Sequence, residues 1–103
     1  MKFILVITTI GNKKDAEELS EKIVSAKLGA CVQISEIKSY YAWKGSLESS
    51  GEFKLTIKTR DKKYDQLKDF IIENSKYDTP QILAVNIEKG YEKYLDWVES
   101  ELK

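Results

Sequence analysis

Histidine is absent from this 103-residue chain. Its absence removes the commonest general base, the commonest transition-metal ligand and the only side chain that titrates unperturbed near neutrality. Ser-His and Cys-His nucleophilic mechanisms are excluded with it. Cysteine occurs once, at Cys31, so neither an intrachain disulfide nor a multi-cysteine zinc cage can form, which fits a reducing compartment. An excess of either charge is missing too, since 17 Lys and Arg face 17 Asp and Glu. No surplus of positive charge exists to neutralise nucleic-acid phosphates or to hold an anionic membrane, and neither is expected as a partner. The longest apolar run, Phe3-Ile4-Leu5-Val6-Ile7, falls far short of the roughly 20 residues that span a bilayer. No small-residue cleavage site follows it, and a cytoplasmic location is expected.

What the chain does contain is 42% hydrophobic residues, enough for one domain over residues 1–103, because single cores belong to domains of roughly 50 to 200 residues. Lys2 to Thr9 is rich in β-branched residues, apolar at Phe3, Leu5 and Ile7 on one face and at Ile4 and Val6 on the other. That pattern predicts a strand covered on both sides. Gly11-Asn12 breaks it, and Asp15, Glu17 and Glu18 crowd the next opening turn, where carboxylates complement a helix dipole. Ala16, Leu19, Ile23, Ala26 and Ala30 then recur at helical spacing, with Gly29 near the stop.

From Cys31 to Trp43 the pattern is extended. Val32 and Ile34 alternate in one phase, and Ile37, Ser39, Tyr41 and Trp43 in the other. The slip at Ser35-Glu36 predicts a bulge or bend. Gly45 to Gly51 forms a connection, after which Phe53, Leu55 and Ile57 alternate strictly, giving a long hairpin. A second helix begins at Asp61 and ends before Asp78-Thr79-Pro80; Leu83, Val85 and Ile87 mark another strand. Tyr91, Tyr94, Leu95, Val98 and Leu102 mark a last amphipathic helix. The predicted class is α+β: a split βαβ arrangement, βαββαβ, with a long hairpin between its second and third strands and an added C-terminal helix. Right-handed crossovers place the helices on one face of an antiparallel sheet.

If Cys31 to Trp43 is one continuous strand, it extends about 43 Å, at roughly 3.3 Å per residue. A compact domain of this length is only about 33 Å across. The hairpin should therefore overhang its own core and carry Tyr40, Tyr41 and Trp43 with it. Exposing such aromatic area is adhesive, so a neighbouring copy is the expected cover. The competing reading bends the strand at its bulge and packs the rings on their own domain.

Several pieces in order resemble the CutA family of divalent-cation tolerance proteins. They are Ala30-Cys31-Val32, then Ser39, Tyr41, Trp43 and Gly45, then Glu52 leading into Ile57-Lys58-Thr59. Tyr77, Pro80 and Ile82 fit the family segment His-Pro-Tyr-Glu-x-Pro-Glu-Ile, and Tyr94, Leu95 and Trp97 its closing Tyr-Leu-x-Trp. The resemblance covers nearly the whole chain. It implies a ferredoxin-like βαββαβ sandwich, a homotrimer whose hairpins pair between subunits, similar in plan to PII signalling proteins, and a role in tolerance of copper and other divalent metals. The family's proposed copper ligands include the Cys of the first piece and the His of the Tyr-Pro segment. Here Ser75 stands in the His position, Lys76 replaces Pro, Asp78 replaces Glu and Gln81 replaces the second Glu. Cys31 remains as a soft ligand, with Asp78 and Glu52 as oxygen donors.

Each candidate has a plainer alternative. Cys31 can be a small buried hydrophobe. Tyr41 and Trp43, with Tyr77 and Pro80, either line an intersubunit cleft for a small ligand or anchor an interface. Lys58 is either an anion contact in that cleft or a solvated strand residue. No cofactor is obligatory; a divalent metal or copper ion is the candidate ligand, and an unidentified partner protein is a second route to a metal response. The competing function is a PII-like sensor of a metabolite or nucleotide held between subunits, although no glycine-rich phosphate loop is present. Catalysis is not expected. The only arginine, Arg60, follows a strand and precedes a helix, unlike the loop-poised arginine of an acylphosphatase. Phe53 alone does not supply the aromatic signature of an RNA-binding sheet.

Overall fold

The computed structural model describes residues 2–103. In chain order the elements are β1 (Phe3–Ile10), α1 (Lys13–Ser25), β2 (Cys31–Trp43), β3 (Ser46–Arg60), a 3₁₀ turn (Asp61–Lys63), α2 (Tyr64–Asn74), β4 (Ile82–Ile87) and α3 (Glu92–Glu101). The four strands form one antiparallel sheet in the order β2-β3-β1-β4. This is the split βαβ arrangement anticipated from the pattern of elements.

Alternation along the strands decides which face is covered. Ile4, Val6 and Ile10 of β1 and Leu55 and Ile57 of β3 share one face and pack with Ala16, Leu19 and Ile23 of α1 and Leu67 and Ile71 of α2. Helix α1 starts where the Asn12 side chain accepts the Asp15 N–H at 2.9 Å, satisfying one of the donors that a first turn leaves free. Its end is set by Lys27, whose φ of 59° is left-handed, so the terminating position is not Gly29. Gly29 is instead a close-approach site: a Cβ there would lie 2.5 Å from Cγ2 of Ile57 and 3.0 Å from Cγ2 of Ile23.

Several expectations need correction. First, there is no bulge at Ser35-Glu36. The β2–β3 register is unbroken from Cys31↔Lys58 to Trp43↔Ser46, and the phase change reflects a change of surroundings. Near the core, Val32 packs against the α1 and α2 side; farther out, the odd-numbered residues carry the apolar and aromatic groups toward the opposite face. Second, the helices do not all lie on one face. Val98 and Leu102, at the end of α3, pack with Phe3 and Ala30, and Phe3 is register partner to Arg60 on the face away from α1 and α2.

The anticipated overhang is present. Pairing between β1 and β3 stops at Ile10↔Phe53, so beyond it β2 and β3 continue as a two-stranded arm. The protein is correspondingly elongated, 45 × 25 × 22 Å. The arm ends at Lys44 and Gly45, with φ of 50° and 80°, values that match the twist of a tight two-residue hairpin turn, so Ser46 to Gly51, expected as part of the connection, is instead paired strand.

Candidate functional site

The unbroken register fixes what the arm presents. Ser39, Tyr41 and Trp43 of β2, Glu52 of β3 and Thr9 of β1 share the sheet face away from α1 and α2. The connection between α2 and β4 closes over them with Lys76, Tyr77, Asp78, Thr79 and Gln81, giving a cleft of about 680 Å³. Pro80 is half-buried between two lining residues. A salt bridge of 2.8 Å from Lys76 to Asp15 tethers this connection to the first turn of α1.

Glu52 is the chemical centre of the cleft. It is only 9% exposed, and the Tyr77 hydroxyl donates to its Oε2 at 2.8 Å. Burial by itself raises a carboxyl's pKa, but the hydroxyls of Ser39, Tyr77 and Thr9 outweigh it and hold Glu52 below its ordinary 4.5. Its stabilising contribution is therefore present above pH 4.5 and is lost as pH falls through the lower folded value.

Tyr77 moves the other way. Burial first, then its bond to the Glu52 carboxylate, push the phenol up from 10.0 to about 12. The stabilisation that accompanies this shift is complete below pH 10 and is lost as pH rises toward about 12. Spectrophotometric titration should show a tyrosine ionising near pH 12. Tyr77→Phe should delete that step, and a variant that loses absorbance change only near pH 10 while keeping a step near pH 12 would count against the pairing.

Cys31 and Lys58 lie elsewhere. They are register partners at the α3 end of the sheet, where Lys58 Nζ donates to the Tyr94 hydroxyl at 3.0 Å. That bond, against opposing desolvation, holds the Lys58 ammonium above its ordinary 10.5. Glu52 pairs with Ile37, six residues along β2 from Cys31, which separates the thiol from Glu52 by about 20 Å. Among the described residues no group of three or more His, Cys, Asp or Glu side chains converges. Cys31, Asp78 and Glu52 thus do not fit a common metal centre within one chain, whereas Tyr41, Trp43, Glu52, Tyr77 and Asp78 do fit one cleft. Thr9, Tyr40 and Gln81 were not singled out as lining residues. Ser39 was legible, being in phase with Tyr41 and Trp43.

The family described as CutA1 divalent ion tolerance protein matches residues 4–101. The chain belongs to that family. The divalent-cation tolerance protein CutA of Archaeoglobus fulgidus is 35% identical over 91% of this chain and 92% of its own length. The chloroplastic protein CutA 1 of Oryza sativa is 39% identical over 94% of this chain and 55% of its own length, so the chain spans about half of that plant CutA protein. The solved structure of the periplasmic divalent cation tolerance protein CutA from Archaeoglobus fulgidus superposes with a TM-score of 0.96 at 33% identity, covering 98% of this chain and 99% of that one. CutA1 from Oryza sativa gives 0.95 at 37% identity, with 98% and 94% covered. The family description and the names of the Archaeoglobus fulgidus protein refer to divalent-ion tolerance and name no reaction. Among the described residues no helix is long and apolar enough to cross a membrane.

Proposed function

We propose that this chain acts as a homotrimer in the family's metal-tolerance role, with weak direct copper binding and a metal response carried indirectly, through a small ligand held in the Glu52 cleft. The carrying observation is the division of the candidate groups. Cys31 stands at one end of the sheet, and Glu52, Asp78 and the aromatic residues are gathered at the other.

Assembly is supported by what the protomer leaves uncovered. Leu83 and Val85 of β4 and Tyr40, Trp43 and Leu47 of the arm are all exposed, more apolar surface than a monomer usually leaves in contact with water. Strands β2 and β4 are the sheet margins, with backbone groups open to pairing with another copy. Cytoplasmic placement rests on the unpaired Cys31, while relatives carry periplasmic and chloroplastic descriptions.

Sedimentation equilibrium at micromolar protein should give three times the protomer mass of 11.9 kDa. Calorimetric titration with Cu(I), Cu(II) and Zn(II) should give weak heats that Cys31→Ser barely alters. A species of 11.9 kDa would remove the assembly. Tight stoichiometric copper binding lost in Cys31→Ser would overturn the indirect response.

A further inference from the structure

We propose that the cleft takes a small organic cation, an ammonium or amidinium group on a flat or apolar body, with Glu52 as its counter-charge and Tyr41 and Trp43 as its walls. This rests on the cleft being a binding site and names the chemical class it selects.

The argument starts from a charge without a partner. Glu52 is nine-tenths buried, and the groups that stabilise its carboxylate are neutral hydroxyls, that of Tyr77 at 2.8 Å among them. Among the described residues the ion pairs are Arg60–Glu99, Lys68–Asp65 and Lys76–Asp15, and none involves Glu52. These hydroxyls satisfy lone pairs and keep Glu52 ionised but bring no opposite charge, so the negative charge stays in the cleft and is available to a cation that displaces water there. Lys76, the one cation among the described residues lining the cleft, is directed to Asp15 at 2.8 Å. Asp78 adds a second carboxylate to the lining. Within one protomer the cleft is therefore short of positive charge.

The walls agree with this polarity. Tyr40, Tyr41 and Trp43 line the cleft, and aromatic faces attract cations through their quadrupoles. The arm's rings already do so within the chain, with Lys38 Nζ 5.5 Å from the Tyr40 centroid and Lys44 Nζ 6.0 Å from that of Trp43. Among the described residues no such cation lies over Tyr41.

Other ligand classes fit less well. A phosphate-bearing metabolite would bring negative charge to Glu52 and Asp78. A bare divalent ion needs several oxygen acceptors, whereas Tyr77 offers Glu52 a donor. The cleft volume of about 680 Å³ exceeds what one metal ion fills and suits a small organic molecule.

The test uses the assembled full-length protein and four probes: 2-phenylethylammonium, the neutral 2-phenylethanol, the anionic phenylacetate, and ATP. Calorimetry should show the ammonium binding at least about tenfold more tightly than the alcohol, with phenylacetate and ATP silent. Glu52→Gln, which keeps an acceptor for Tyr77, should lower ammonium affinity about 10- to 100-fold, to the level of the alcohol. Trp43→Leu, exposed in the protomer and outside its core, should weaken it by about threefold in a variant whose sedimentation mass matches that of the parent assembly. Equal binding of ammonium and alcohol overturns the charge selection and leaves the cleft as a binding site. Preference for phenylacetate or ATP likewise keeps the cleft and reverses its polarity. Silence from every probe overturns both. A crystal structure with a neighbouring copy's lysine on Glu52 assigns the missing charge to assembly and overturns the small cation.

Discussion

Replacing Ile57 with alanine is expected to lower the unfolding free energy by about 2–5 kcal/mol, the range for truncating a fully buried aliphatic side chain. Ile57 has no exposed surface. It pairs with Val6 on one side and Val32 on the other, and its Cγ2 packs close to Gly29. A cavity there is bounded by two strands and by the tightly held turn after α1, so collapse around it is limited. Leu47→Ala supplies the contrast. Leu47 is 80% exposed on the arm, so its truncation should change protomer stability by less than about 0.5 kcal/mol. Urea unfolding at a fixed protomer concentration measures both, because association adds to apparent stability by mass action. Equal midpoints for the two variants would contradict the placement of the core.

Glu99→Ala is expected to cost about 3–5 kcal/mol and to loosen α3 selectively. Nη1 of Arg60 donates to Glu99, and the two side chains are only 6% and 17% exposed. The same guanidinium donates through Nε to the Lys2 carbonyl oxygen at 3.2 Å and lies 5.3 Å from the Phe3 ring centroid. Removing Glu99 leaves a buried guanidinium with its charge uncompensated. The helix it held is otherwise attached through the small cluster of Val98, Leu102, Ala30 and Phe3. The double replacement Arg60→Met with Glu99→Leu should recover most of the loss, since a packed apolar pair carries no desolvation penalty. Amide exchange should show protection falling in α3 before it falls in β1 or β3. A loss below about 1 kcal/mol for the single variant would mean the pair is effectively solvated.

Most of the elements were legible because their signals are local. Periodicity around Ala16, Leu19 and Ile23, the break at Gly11-Asn12 and the strict alternation of Phe53, Leu55 and Ile57 each act within one segment. One misread stretch was Ser35-Glu36, where apolar residues change phase because the surroundings change and the backbone does not; another was Ser46 to Gly51, whose polar and glycine content signals a loop although it is paired strand. A single strand's pattern does not distinguish those causes. The side on which α3 packs was also hidden, since it depends on Phe3 and Arg60 meeting Val98 and Glu99 from distant parts of the chain. For the cleft, Tyr41 and Trp43 could be named from their type and phase. The burial of Glu52 could not, because its hydroxyl partner Tyr77 lies 25 residues away in a connection with no regular pattern.

The thirteen-residue β2 strand pairs with β3 without a skipped position, and its turn is fixed at Lys44 and Gly45. Such an arm tolerates a change of letters better than a change of length. Dropping one residue from β2 alone would leave the core and the turn demanding alignments one step apart. The mismatch would rotate Tyr41 and Trp43 away from Glu52, so drift by substitution is permitted where drift by deletion is not.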